Sequence, residues 1–128
     1  MDNKQLSKTI SSFSTRIFEE QNGFWKFEYG GDLVYVITDE SHNRMRAMTA
    51  VAEWKSVSAD ELPVLLAANY DRALDARYCI KDDMLWSAYI HPLTELTENQ
   101  FLDALQQVVS LAKNYGSSYA SSDLMFGG

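Results

Sequence analysis

The sequence predicts an α+β domain in which three helices accompany an antiparallel sheet. Two observations support this class. The spacing of apolar residues changes along the chain between the period of helices and the alternation of strands. Short turns at Gly30-Gly31 and Asp82-Asp83 each separate two strand-like segments, which indicates antiparallel hairpins. Helices do not alternate with strands as in a doubly wound parallel sheet, so the predicted order is α-β-β-β-α-β-β-α.

The first predicted element is an amphipathic helix near the N-terminus. Its apolar residues recur at spacings of four, three and four, with charged residues between them: Leu6, Ile10, Phe13 and Ile17. Glycine readily takes the left-handed backbone conformation that closes a helix. We therefore expect this helix to end near Asn22-Gly23.

The first hairpin has a well-defined core face. Aromatic residues alternate with charged ones over residues 25–29, and residues 33–37 are rich in β-branched side chains. A two-residue turn at Gly30-Gly31 places Val34 and Val36 on the face of the aromatic residues. Those aromatic residues are Trp25, Phe27 and Tyr29.

A third strand is predicted over residues 44–54. Arg44 and Arg46 fall on one side of it, and the opposite side carries Met45, Ala47, Thr49 and Val51. Ser58 and Glu61 then have the spacing of a capping box, in which each residue satisfies a backbone donor of the other. This pair predicts the start of the second helix.

The second hairpin comprises residues 76–80 and 84–90. Thr97 and Gln100 form a second capping box, and an apolar stripe at helical spacing follows it as far as Gly116. The last predicted helix therefore lies between these points.

These elements form one domain over residues 1–116. Residues 117–128 are rich in Ser and Gly and contain the cluster Leu124-Met125-Phe126. We expect a flexible tail here, unless that cluster docks onto the domain.

Charge and cysteine content narrow the classes of partner and compartment. The 128 residues include 18 acidic and 11 basic side chains, for a net charge of −7. A field of that sign repels phosphate backbones and anionic lipid, so we expect neither nucleic acid nor membrane as a partner. Cys79 has no second cysteine with which to form a disulfide, which suits a reducing compartment. We expect a cytoplasmic protein.

Candidate catalytic groups are sparse. A cysteine–histidine pair would have to join Cys79 to His42 or His91, yet the predicted register puts His91 roughly 16 Å from Cys79 along the strand. Neighbouring carboxylates, such as Asp60-Glu61, lie in turns and at helix ends, where they do not face each other across a cleft. Ligand spacings typical of zinc sites are absent from the sequence. We predict no catalytic, cofactor or metal site.

The second hairpin is apolar on both faces, which singles it out as a candidate contact surface. With Ile80 opposite Leu85, Cys79 lies opposite Trp86, on the face shared by Met84 and Ile90. Either other parts of the chain cover this face, or it contacts another protein. The predicted partner-binding residues are Met84, Trp86, Ile90 and Cys79, as a homodimer interface or as a groove for a client.

The residues at the joints of the elements resemble a known family. Leu62-Pro-Val-Leu-Leu-Ala-Ala-Asn69-Tyr70 is followed by Ala76-Arg77-Tyr78-Cys-Ile80, then Leu85-Trp86 and Leu96-Thr97-Glu98. Across residues 13–115 this pattern is similar to the YbjN family of bacterial proteins, which have the type III secretion chaperone-like fold. The resemblance implies the predicted element order, no catalysis, and the role of a sensory transduction regulator.

Three hypotheses for function follow. The first is a non-catalytic cytoplasmic protein-interaction module, regulatory in signal transduction. The second is a dedicated chaperone similar to the class I secretion chaperones, which are small acidic homodimers whose apolar patches hold an extended client segment. The third is a small enzyme with a polar cleft around His42 or His91. The resemblance supplies no catalytic residue for this third hypothesis.

Overall fold

The computed structural model describes residues 1–122. One six-stranded antiparallel sheet has the strand order β1-β2-β3-β4-β6-β5. The elements are α1 (Asn3–Phe13), β1 (Arg16–Gln21), β2 (Phe24–Tyr29), β3 (Asp32–Asp39), β4 (Arg44–Glu53), α2 (Glu61–Asp71), β5 (Arg77–Lys81), β6 (Met84–Pro92) and α3 (Glu98–Lys113). A short 3₁₀ turn, Trp54–Ser56, follows β4. The predicted α+β class is confirmed.

Strand β1 corrects the predicted end of the first helix. Helix α1 stops at Phe13, and the chain returns as an edge strand in which Ile17 pairs with Phe27. Gly23 has the left-handed conformation expected of it (φ +88°), but it closes the β1–β2 hairpin. Most side chains of β1 are polar and exposed, so alternation does not mark it as a strand. Ile17 has the spacing of the helix, but backbone pairing with β2 places it in a strand.

The first hairpin has the predicted register. Tyr29 pairs with Asp32 around Gly30-Gly31, and Trp25 pairs with Val36. The second hairpin also has its predicted register, with Cys79 opposite Trp86. Both registers follow from turns within a few residues of the strands they join.

The two predicted capping boxes differ in outcome. At α3 the box is complete, because Gln100 N donates to Thr97 Oγ1 (3.1 Å) and Thr97 N donates to Gln100 Oε1 (2.9 Å). At α2 only the Glu61 carboxylate accepts, from Ser58 N (3.1 Å) and from Ser58 Oγ (3.3 Å). Since the Ser58 hydroxyl donates instead of accepting, a turn precedes the helix, which begins at Glu61.

The core lies on one face of the sheet, where the helices pack. Trp25, Val36, Ala47 and Tyr89 form a row of buried residues across β2, β3, β4 and β6. Helix α1 covers one end of this face, where Trp25 Nε1 donates to Ser7 Oγ at 3.0 Å. The buried stripe of α3 covers the centre: Phe101, Ala104, Leu105, Val108 and Leu111.

The chain beyond α3 returns across the domain. Ser121 N donates to Arg72 O at 3.0 Å, and Ser121 Oγ donates to Ala73 O. The ring of Tyr119 packs against those of Tyr78 and Tyr115, which also contact each other. The described part of the predicted tail, residues 117–122, is therefore held against α2 and β5. The cluster Leu124-Met125-Phe126 lies outside the described residues.

Within residues 1–122, no helix combines enough length with enough hydrophobicity to cross a bilayer.

The tyrosines beside α2 predict a loss of stability at high pH. Burial raises the pKa of Tyr78, whose hydroxyl donates to Leu111 O (2.7 Å). Burial and a hydrogen bond to Glu61 raise the pKa of Tyr115 to about 12. Unfolded tyrosine ionises near pH 10. The unfolded chain therefore loses protons that the folded chain keeps, so the free energy of unfolding falls as pH rises from about 10 to 12.

Urea unfolding at a series of pH values from 8 to about 12 measures this loss. Replacing Tyr115→Phe removes one titrating hydroxyl and is expected to flatten the profile. A wild-type stability that stays constant across this range would contradict the prediction.

Candidate protein-binding face of the sheet

The face of the sheet opposite the core carries no helix within residues 1–122. Because side chains alternate along each strand, filling one face with core residues directs the intervening residues to the other face. We call this second face the open face. Its large apolar residues form an open-face strip, which consists of Phe24, Tyr35, Ile37, Met48, Trp86 and Ile90.

Aromatic rings hold the centre of the open-face strip together. The rings of Tyr35 and Trp86 meet edge to face with centroids 5.6 Å apart, across strand β4. Phe24 lies on the other side of Tyr35, at 6.3 Å. Trp86 Nε1 donates to Lys81 O at 3.2 Å, which fixes the indole ring against β5. Neighbouring side chains leave Met48 only 5% exposed. The strip is therefore a preformed surface.

All four predicted partner-binding residues lie on the open face. Trp86 and Cys79 are paired and half-buried, and Met84 is half-buried at the start of β6. Ile90 is 53% exposed near the other end of the strand. Helices α1, α2 and α3, the α-helices of the described part of the chain, pack on the opposite face and do not cover these residues. Their role in binding a partner stays a prediction.

The sequence did not reveal the rest of the open-face strip. Tyr35 and Phe24 belong to the first hairpin, whereas the predicted surface was confined to the second. Strand β4 joins the two hairpins by pairing with both β3 and β6. Alternation placed Tyr35 away from the core, but no local signal shows which hairpins become neighbours.

Two shallow grooves run along the open face beside β4 and β6. One, of ≈ 440 Å³, is lined by residues that include Arg46, Met48, Arg77, Cys79, Ala88 and Ile90. The other, of ≈ 360 Å³, adjoins it and shares Arg46 and Ile90. Together they are lined by apolar residues and by Arg44, Arg46 and Arg77, with Asp39 and Asp75 also in the lining.

The structure does not place Cys79, the candidate nucleophile, beside a histidine that could act as its base. His42 lies in the β3–β4 turn, where its Nδ1 is 2.9 Å from Asp39 Oδ2. The ring of His91 stacks on Tyr89, a residue of the core face. Burial raises the pKa of the Cys79 thiol, although Arg46 nearby acts in the opposite direction. A raised pKa weakens a cysteine as a nucleophile at neutral pH.

Within residues 1–122, no three His, Cys, Asp or Glu side chains are grouped closely enough to hold a metal ion.

Helix α2 carries a second exposed apolar surface, which we call the α2 stripe. It consists of Leu62, Leu66 and Tyr70, spaced four residues apart on one side of the helix and 39%, 72% and 74% exposed. The other side of α2 buries Leu65 and Ala68 in the core. Such a stripe has no partner within the described chain.

The same helix protects an edge of the sheet. Asn69 Nδ2 donates to Tyr78 O (3.1 Å), and Tyr78 N donates to Asn69 Oδ1 (2.8 Å). Strand β5 is an edge strand, so these backbone groups would otherwise be available to a strand of another protein. The asparagine occupies both of them.

Comparison with known proteins shows the fold. No protein-family model and no curated protein matches the sequence. The structure is similar to a chain of the HopA1-SchA chaperone-effector complex (TM-score 0.67, 10% identity, 88% of this chain and 90% of that chain covered). It is also similar to a chain of the ExsC-ExsE complex (TM-score 0.69, 11% identity, 100% of both chains covered).

A third similar structure is the Yersinia pestis type III secretion chaperone SycH in complex with a stable fragment of YscM2. Its TM-score is 0.64 at 15% identity, with 88% of this chain and 97% of that chain covered. At such identities the likeness shows the fold alone. The predicted type III secretion chaperone-like fold is thus confirmed, whereas membership of the YbjN family stays a prediction.

The position of Cys79 predicts slow reaction of its thiol. Because burial raises its pKa and Trp86 lies opposite, the thiolate is scarce and shielded in the folded protein. We expect a disulfide reagent such as DTNB to react much more slowly with the native protein at pH 8 than with the urea-unfolded chain. The Trp86→Ala variant is expected to react faster while still folded. Equal rates for native and unfolded wild type would contradict this.

Proposed function

We propose that this chain is a non-catalytic, chaperone-like protein that binds an extended segment of another protein on its open face. The observation that carries the proposal is the open-face strip, a preformed apolar surface that no helix within residues 1–122 covers. Monomeric proteins seldom leave a large contiguous apolar area exposed without a function for it. The cytoplasmic location predicted from the sequence is part of the proposal.

Between the two protein-binding hypotheses, we favour the dedicated chaperone over the regulatory module. SchA is described in a chaperone-effector complex, and SycH as a type III secretion chaperone in complex with a fragment of YscM2. Both share the fold of this chain over most of its length. The same fold also occurs in an uncharacterized protein from Methanothermobacter thermautotrophicus (TM-score 0.58, 10% identity, 90% of this chain and 93% of that chain covered). The fold therefore supports the chaperone hypothesis together with the open-face strip.

The edges of the sheet are less suited to binding a client than the open face is. Asn69 occupies the backbone groups of Tyr78 on the β5 edge. The β1 edge has an irregularity in its pairing between Ile17 and Glu19, and exposed polar side chains follow it. Bulges and charges of this kind discourage strand addition. A client is therefore expected to dock through its side chains on the face.

We further propose that the protein is a homodimer formed through the α2 stripe. Two copies of an apolar helical stripe are self-complementary about a two-fold axis, as an isologous interface requires. The stripe holds the most exposed large apolar side chains among the described residues, Leu66 and Tyr70. Dimerisation there leaves the open face of each copy free for a client.

Site-specific cross-linking tests the client surface. A photoreactive phenylalanine analogue is placed at Ile37 or Ile90, both exposed on the open face, and at Lys4 on α1 as a control. Cross-links are formed in native cells and mapped by mass spectrometry. We expect one polypeptide segment to be captured from both open-face positions and not from the α1 position.

Binding of that segment is then measured with Trp86→Ala, which removes the largest side chain of the open-face strip. Loss of a buried aromatic anchor commonly weakens binding by about 2 kcal/mol, or about thirtyfold. Unrelated segments at the two open-face positions, or unchanged affinity after Trp86→Ala, would count against the proposal.

Sedimentation equilibrium tests the homodimer. Leu66→Lys places a charge in the α2 stripe and is expected to weaken self-association by at least about thirtyfold. Leu66 is 72% exposed, so the change leaves the core intact. Trp86→Ala serves as the matched open-face variant and should dimerise as wild type does. A Trp86→Ala monomer would instead place the interface on the open face, and a monomeric wild type would exclude the homodimer.

A further inference from the structure

Part of the open face carries a cluster of basic side chains, although the chain as a whole is acidic. The chain has seven more acidic than basic side chains. Three arginines nevertheless lie together on the open face, Arg44 and Arg46 on β4 and Arg77 on β5. They share this face because they alternate with core residues along their strands. A client would therefore meet positive charge on an otherwise acidic protein.

None of these arginines has a carboxylate partner among residues 1–122. Arg46 is exposed and makes neither a hydrogen bond nor an ion pair in this part of the chain. Arg77 Nη1 donates to the carbonyls of Leu74 and Ala76, both at 2.7 Å. Arg44 Nη1 likewise donates only to main-chain carbonyls, including Asn43 O at 2.8 Å. Their guanidinium groups keep donors free for an external anion.

The acidic side chains that border the grooves are already engaged. Asp39 accepts from Ser41 Oγ at 2.7 Å and from the backbone N–H of His42 at 3.1 Å. Asp75 Oδ2 accepts from Gln107 Nε2 at 3.1 Å. Basic side chains outnumber these two carboxylates in the lining of the grooves, where Arg44, Arg46, Arg77 and Lys81 stand against Asp39 and Asp75. The grooves therefore keep an excess of positive charge.

Apolar residues separate Arg46 from Arg77. Ile37 and Ile90 flank Arg46 on the neighbouring strands, while Arg77 pairs with Ala88 in the next row. Arg77 lies two strands across and two residues along from Arg46. At about 4.8 Å per strand and 3.4 Å per residue, the two Cα atoms are about 12 Å apart. Both arginines line the ≈ 440 Å³ groove.

We propose that the client segment is an extended chain in which two acidic residues, four positions apart, flank an apolar residue. In an extended chain such acidic residues lie on the same side, about 13 Å apart, which matches the separation of Arg46 and Arg77. The apolar residue between them then rests on β6, between Ala88 and Ile90. This inference rests on the proposed function, since it specifies the chemistry of the segment bound at the open face.

A peptide fits these features better than a nucleic acid does. A polynucleotide would also contact guanidinium groups, but nucleic-acid sites typically extend as a basic surface over many phosphates. Here the arginines are few, they are separated by aliphatic side chains, and the chain carries a net charge of −7. The alternation of apolar and basic groups is complementary to an acidic, amphipathic strand.

Three short fluorescent peptides test the inference by anisotropy. Their common core is X-Thr-Leu-Thr-X in neutral polar flanks, where X is Glu, Gln or Lys. Wild type is expected to bind the Glu peptide about a hundredfold more tightly than the Gln peptide, because two charge-assisted pairs contribute about tenfold each. The preference should shrink as the salt concentration rises from about 50 mM to about 500 mM.

Charge reversal in the protein supplies the matched variants. Arg46→Glu and Arg77→Glu are each expected to reduce the affinity for the Glu peptide about tenfold or more and to improve that for the Lys peptide. Lys4→Glu makes the same charge change on α1, behind the sheet, and should leave the preference for the Glu peptide unchanged. Arg46→Lys keeps the charge and should retain part of the affinity.

Four results would overturn the inference: equal binding of the Glu and Gln peptides, no effect of Arg46→Glu, no binding of any of the three peptides at millimolar concentration, or tighter arginine-dependent binding of a single-stranded oligonucleotide.

The cross-linking experiment distinguishes a failure of this inference from a failure of the proposed function. If the captured segment lacks the acidic pair, the proposed function is still supported and only this inference is wrong. If no common segment is captured, the proposed function itself is wrong.

Discussion

Burial of a single face of the sheet is the constraint on which the rest of the molecule depends. The row Trp25, Val36, Ala47 and Tyr89 crosses four strands, and the helices pack over it. Since successive side chains of a strand point to opposite faces, this row determines which residues remain outside. The residues of the open-face strip are among those that remain outside. The candidate binding surface and the fold are two consequences of the same alternation.

A buried amide and a half-buried one stabilise the corner that presents the second hairpin. Gln107 is only 2% exposed, and its side chain accepts from Asp75 N (2.9 Å) and Ala76 N (3.1 Å) while donating to Asp75 and Asp103. Asn69 makes the reciprocal pair of bonds with Tyr78. Because burial of an unpaired amide is unfavourable, each set of bonds specifies one arrangement of α2, β5 and α3. Trp86 and Arg77 depend on that arrangement for their positions.

Local signals in the sequence predicted the parts of the fold that close over a few residues. Both hairpin registers and the complete cap of α3 belong to this group, because turn and cap residues act on their immediate neighbours. Strand β1 was missed, since its polar side chains leave only backbone pairing to mark it. The extent of the open face was also missed, because it depends on pairing between β4 and β6, some 40 residues apart in the chain. That pairing is a tertiary property with no local signature.

The division of the sheet into a buried and an open face also separates two kinds of constraint on sequence change. A substitution at Trp25 alters the core and therefore the free energy of folding. A substitution at the exposed Arg46 or Ile90 alters the charge or shape of the open face while leaving helix packing untouched. The fold is shared with chains that are only 10–15% identical to this one. An architecture of this kind lets the residues of the open face change without a corresponding change in the core.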